Sequence, residues 1–221
     1  MEIDNIVRCR RRSFGLVVGR DATLTIRAPM RASMAEIHRV VREKERWIKR
    51  KQEHARKTYL EFKPRNFVSG ESFYFLGCQH KMFLVENSDV PLKFDKGFLL
   101  SIRHEGSARK VFADWYRKQA QTLVEESARH YAGLAGLTYA KIKINGALKR
   151  WGSCSHNGNL NFSWRLAMAP LASLDYVVVH ELSHLVHKNH SKVFWEKVRS
   201  FMPDYKIHEK WLKDNGHLLN F

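Results

Sequence analysis

The sequence predicts an α+β chain in two parts, a small N-terminal β lobe with a long basic helix and a larger C-terminal α+β domain. Short alternating apolar runs bounded by Gly, Asn and Asp fill residues 6–28 and 72–102, the pattern of half-buried strands. Apolar residues recur at helical spacing over 33–57 and 107–135, the pattern of amphipathic helices. Beyond Gly136 the two periods mix, with strands leading directly into an apolar helix. At 221 residues and 44% hydrophobic, the chain can bury one good core and a small second lobe. The division is expected between residues 104 and 105.

Each element has its own signal. Residues 6–10, 14–18 and 22–28 read as extended, with Gly19-Arg20-Asp21 as a turn. Ser33 is placed to cap a helix and Glu36, three residues on, completes a capping box. That helix should run through Ile37, Val40, Val41, Trp47 and Ile48 to about Lys57. Strands follow at 72–76, 81–85, 92–94 and 98–102, separated by Gly77-Cys78-Gln79-His80, Asn87-Ser88-Asp89 and Asp95-Lys96-Gly97. Val111, Trp115, Ala120, Leu123 and Ala128 then mark a helix over 107–135, with Trp115 and Tyr116 in its core-facing part. Two strands, 141–144 and 159–166, are joined across Arg150-Trp151-Gly152-Ser153 and the turn His156-Asn157-Gly158.

The next helix carries the chemistry. It contains His180-Glu181-Leu182-Ser183-His184, with His190 six residues further on. Residues i and i+4 share a helix face, so His180 and His184 can present two imidazoles to one ion while Glu181 lies one step round. With 12 His in 221 residues, a chance match to H-E-x-x-H is expected roughly 0.04 times. The apolar run Tyr176-Val177-Val178-Val179 buries the start of this helix and would hold the ligands rigidly. If the helix continued, His190 would lie about 120° off the ligand face, so the helix must break between His184 and His190. Lys188-Asn189 is the expected place, Asn tolerating the left-handed conformation, with Ser191 capping a new helix through Val193, Phe194, Val198 and Phe201. A last helix is expected at 206–214.

Three neutral imidazoles leave a Zn²⁺ ion an open fourth position, the arrangement of catalytic rather than structural zinc. Glu181, not a ligand, can then serve as general base toward a water whose pKa the metal lowers. His187 lies about 300° round the helix from His184 and is not favoured as a ligand. Glu196 and Glu209 are weaker candidates for a carboxylate ligand. Met202 before Pro203 is read as core, and His208 and His217 as surface or packing residues.

The stretch resembles the YgjP-like metallopeptidases, relatives of the SprT-like and Wss-type zinc proteases. The resemblance runs through Arg150-Trp151-Gly152-Ser153-Cys154-Ser155, residues 158–170 and residues 175–195, with weaker similarity at Trp47-Ile48 and Tyr74-Phe75-Leu76-Gly77. It implies a zincin-like catalytic domain over 105–221, with His180, His184 and His190 as zinc ligands and Glu181 as catalytic base. His187 stands where metzincins carry Gly, which places the chain outside the metzincins proper. A strand beside the metal helix lets a peptide add as a further strand, so Arg150, Trp151, Gly152 and Ser153 are expected to line a peptide or protein substrate cleft.

Charge and cysteines bound the alternatives. The formal net charge is +17, and residues 1–60 hold 16 Lys and Arg against 7 Asp and Glu. Such a field attracts polyanions, which keeps nucleic acid or a nucleotide as a possible partner of the basic surface, although no nucleic-acid-binding motif accompanies it. Some YgjP-like proteins carry a UTP pyrophosphatase assignment, so a metal-dependent nucleotide pyrophosphatase is the alternative activity. A basic nucleic-acid-associated protein is a third reading. Cys9, Cys78 and Cys154 are scattered and odd in number, which fits reduced thiols. Cys154 is read as structural. No apolar run has the ~20 residues of a membrane span and the N-terminal residues have no apolar signal segment, so a cytoplasmic location and no membrane partner are expected.

Overall fold

Leu24, Ile26 and Ala28 are buried while Thr25 and Arg27 between them are not, the two-residue period of a strand with one face on a core. They belong to β3 (Leu24–Pro29), the middle of a three-stranded sheet, parallel to β1 (Asn5–Cys9) and antiparallel to β2 (Gly15–Val18). The computed structural model describes residues 2–19, 21–61, 65–86 and 88–221, with backbone alone at 54 and 57–61. Arg20 and Asn87, each expected in a turn, lie outside the described residues.

The chain divides into two compact units, Met1–Lys63 and Pro64–Phe221. In the first, α1 (Met34–Glu43) begins with the expected capping box, Ser33 Oγ accepting from the Glu36 amide at 3.2 Å and Glu36 accepting from the Ser33 amide at 2.7 Å. The single helix expected to about Lys57 is interrupted at Lys44, and α2 (Glu45–Glu61) follows. Ile37 and Val41 of α1 and Ile48 of α2 complete the core over β3.

The second unit holds two sheets. β4 (Ser72–Phe75), β5 (Cys78–Val85), β7 (Phe98–Ser101) and β6 (Leu92–Phe94) pair in that order. Residues 78–80, expected as part of a connection, are strand. The hairpin between β4 and β5 turns on Leu76 and Gly77 alone, both at positive φ (49° and 83°), the two-residue turn that matches strand twist. The amides of Leu76 and Gly77 donate to the carbonyls of Ala167 and Met168, at 2.9 and 3.0 Å. A Cβ on Gly77 would fall 2.7 Å from the Pro170 ring. This close approach fixes the segment at Pro170, directly before the helix that begins at Leu171.

α3 (Ala108–Ala135) ends at Gly136 in the left-handed conformation. Its Phe112 and Tyr116 are fully buried against Phe73 and Phe98 of the four-stranded sheet, with ring centroids 4.4 Å (Phe73–Phe112) and 5.1 Å (Phe98–Phe112) apart. These strands and the C-terminal helices therefore share one core, and the units part at 63/64 where the sequence placed a division at 104/105. The second sheet has the order β8 (Lys141–Asn145), β10 (Asn159–Ser163), β9 (Gly152–Cys154). The segment read as a connection thus contains a third strand, antiparallel to β10 and at the sheet edge, and the strand expected to run to 166 ends at Ser163, giving way to a 3-10 turn over 164–168. Three helices close the unit: α4 (Leu171–Val186), α5 (Lys192–Phe201) and α6 (Tyr205–Asn215). Among the described residues no helix is long and apolar enough to cross a membrane.

Candidate metal centre and active site

α4 is largely apolar over its first nine residues, where Leu174, Val177, Val178 and Val179 are buried. That anchors the helix and leaves the next turn, His180 to His184, to face the site. The chain leaves α4 at Val186 and His187 is extended, with φ −118° and ψ 106°. The break therefore falls one residue before Lys188-Asn189, and Asn189 does not adopt the left-handed conformation expected of it. The consequence is as anticipated: His190 swings back toward His180 and His184. One ring nitrogen from each of the three lies within 4.8 Å of the others, and the Nε2 atoms of His180 and His190 are 3.0 Å apart. Among the described residues this is the one group of three or more His, Cys, Asp or Glu side chains so disposed.

The donor set fits a divalent cation. Tetrahedral bonds of about 2.1 Å separate ligand nitrogens by about 3.4 Å, within this spread. His184 Nδ1 lies 3.0 Å from the His187 carbonyl; an N–H donated there leaves Nε2 with its lone pair free for a metal. Burial first, then the neighbouring His184 and His190, lower the His180 pKa to about 3, so this ring stays neutral as a ligand must. His180 Nδ1 is buried and has no hydrogen-bond partner among the described residues.

The floor of the site is Phe194 of α5, fully buried. Its ring centroid lies 5.0, 4.5 and 4.8 Å from those of His180, His184 and His190. Trp195 stacks on His190 at 5.7 Å, with 26° between planes. The sequence marks Phe194 only as one apolar residue of an amphipathic helix, and Val193, expected to share its inward face, is exposed. Ser191 precedes α5 without a side-chain capping bond.

Glu181 is only 6% exposed and lies against β9, where a Cβ on Gly152 would fall 2.6 Å from its Cγ and Oε1. Burial raises its pKa to about 7, opposed by the Cys154 amide, which donates to the carboxylate, and by the Arg150 guanidinium. A carboxyl titrating near neutrality can both accept and return a proton. Of the expected cleft residues, Gly152 and Arg150 are brought to Glu181. Trp151 is half-buried, its indole against Gly216 and its carbonyl accepting the Ser163 amide at 2.8 Å. The Ser153 hydroxyl accepts from Asn161 Nδ2 at 3.5 Å, on the strand face opposite Gly152 and Cys154. The Cys154 thiol pKa is raised, chiefly by burial, the reverse of an activated nucleophile.

The remaining histidines and acids stay outside the group. His187 contributes its carbonyl, His208 lies 3.3 Å from Asp204, Glu196 is exposed beside Lys192 at 3.8 Å, and Glu209 is exposed on α6. Met202 is buried at the end of α5.

Residues 12–215 match the YgjP-like family, described as a metallopeptidase domain. The chain belongs to the YgjP-like metallopeptidases. Membership makes it a metallopeptidase by family and implies a metal and a protein or peptide substrate. Among solved structures, the metallopeptidase zymogen of Pyrococcus abyssi abylysin is similar at 22% identity and a TM-score of 0.38, over 40% of this chain and 90% of that one. No curated protein matches this YgjP-like chain.

Proposed function

We propose that this YgjP-like protein is a zinc-dependent peptidase in which His180, His184 and His190 hold the metal and Glu181 is the general base. The observation that carries the reading is the meeting of three imidazoles beside a buried carboxylate and an unpaired strand edge. A bound zinc ion supplies Lewis acidity toward a carbonyl and lowers the pKa of water toward ~7.

The chain's own groups do the rest. Among the described residues β9 pairs with β10 on one side only; on its other side the Cys154 amide is taken by Glu181, and the Gly152 backbone and the Cys154 carbonyl are left to meet an extended peptide. A peptide added there runs past Gly152, whose missing side chain keeps the approach to Glu181 open. Glu181 takes the proton of the attacking water and passes it to the departing amine, a transfer its near-neutral pKa suits. Arg150 is the residue that holds substrate in this reading, supported by its exposure and by its charge acting on Glu181. The all-imidazole donor set also favours zinc over the Mg²⁺ of phosphate chemistry, which prefers carboxylates.

Parallel assays of casein and UTP hydrolysis on zinc-loaded protein test this. Casein cleavage should be abolished by a zinc chelator, restored by zinc, and reduced at least about a hundredfold in Glu181→Gln with zinc content unchanged. UTP hydrolysis without casein cleavage, or full casein cleavage by Glu181→Gln, would contradict it.

A further inference from the structure

The rims of this site are cationic and nearly free of carboxylates. Residues 127–174, which include β8, β9 and β10, contain Arg129, Lys141, Lys143, Lys149, Arg150 and Arg165 but no Asp or Glu. From residue 176 to 195, Glu181 is the one acid, against Lys188 and Lys192. Position sorts these cations. Lys141 and Lys143 alternate with Ile142 and Ile144 and are in register with Asn159 and Asn161, on the outward face of the sheet with Ser153. Arg165 is engaged with Asn220, the Gly146 carbonyl and the Trp164 ring. Lys192 pairs with Glu196 at 3.8 Å.

Arg129 lies on α3, away from β9, and Lys149 is exposed but bears on no group of the site; Arg150 and Lys188 are the two whose charges reach it. Arg150 is exposed one residue before the Trp151-Gly152 approach to β9, and its charge reaches Glu181. Lys188 is exposed in the turn between His184 and His190, and its charge reaches both His184 and Cys154, that is, both the metal helix and the edge strand. Neither makes an ion pair with any described carboxylate within 4.0 Å. Of the acids on the neighbouring helices, Asp175 and Asp204 act on Tyr131 and Glu209 on Tyr176. A peptide lying along β9 therefore passes two cations that have no ion-pair partner among the described residues.

We propose that Arg150 and Lys188 determine specificity, selecting peptides with Asp or Glu on either side of the scissile bond. The inference rests on the peptidase reading above and names its substrate class. An acidic side chain gains charge pairing with Lys188 or Arg150 on binding, and a basic one meets like charge. Because the gain is made with the bound substrate as well as during reaction, it should lie in KM rather than kcat.

The test uses zinc-loaded full-length protein and quenched fluorescent peptides of one scissile sequence with Asp, Ala or Lys flanking it. The Asp peptide should be cleaved with a kcat/KM about fivefold or more above that of the Ala peptide, through KM, with the Lys peptide slowest. Lys188→Gln should narrow the Asp preference to less than about twofold while leaving kcat on the Ala peptide unchanged, and Lys188→Glu should favour the Lys peptide. Lys93→Gln, the same charge change on the other sheet, separates a local rim from the field of the whole +17 chain and should keep the preference. Equal cleavage of all three peptides, or equal loss in Lys93→Gln and Lys188→Gln, overturns the specificity and leaves the peptidase standing. Cleavage of none of them overturns both.

Discussion

Gly152 owes its importance to an atom it lacks. A Cβ there would sit 2.6 Å from the Glu181 side chain, inside the distance that real contacts allow, and the carboxyl is too buried to move aside freely. Gly152→Ala should therefore displace Glu181 and lower kcat about a hundredfold, the scale of a 1 Å misplacement at a reacting group, while zinc content stays at the wild-type level. Unchanged kcat would show that Glu181 does not depend on this approach. At this scale the sequence was informative, because His180, Glu181 and His184 are tied by helix geometry alone. The Gly152 contact was less legible: a glycine in a strand signals close approach of something, but the partner is distant in sequence.

The proposed third ligand depends on elements more than on residues. His190 lies outside α4, in a turn, and its ring is exposed. What orients it is α5, through Phe194 beneath all three imidazoles and Trp195 stacked on His190. Phe194→Ala should cost about 3–5 kcal/mol of stability and weaken zinc about 10- to 100-fold, the usual effect of losing support behind a ligand; Phe194→Leu should lose less of both. Chelator competition and thermal unfolding measure the two effects, and zinc affinity unaltered in Phe194→Ala would refute the supporting role. That the helix had to break before His190 follows from 3.6 residues per turn. Where it breaks does not, since the extended His187 is tied through its carbonyl to His184 Nδ1, a contact that no local signal announces. β9 escaped for a related reason, three residues being too short to show a period. The halt at Lys44 between α1 and α2 has no Gly or Pro to mark it.

In the whole molecule, the α+β class was readable from alternating and helical periods, whereas the partition of the core was not. Strands 72–101 look in sequence like a continuation of the N-terminal β lobe, yet Phe73 and Phe98 bury their rings on Phe112 of α3. Sequence periods show which face of an element is apolar, not which neighbour covers it. The basic excess of residues 1–60 lies in the first unit, and the site is built entirely from the second. The central claim is that this second unit alone supplies a three-imidazole zinc centre. X-ray absorption at the zinc edge of the loaded protein tests it most directly. The account predicts one zinc per chain with three imidazole nitrogens at about 2.0–2.1 Å and one light oxygen ligand, one imidazole being lost in His190→Ala. A sulfur at about 2.3 Å, or an unaltered shell in His190→Ala, would contradict it.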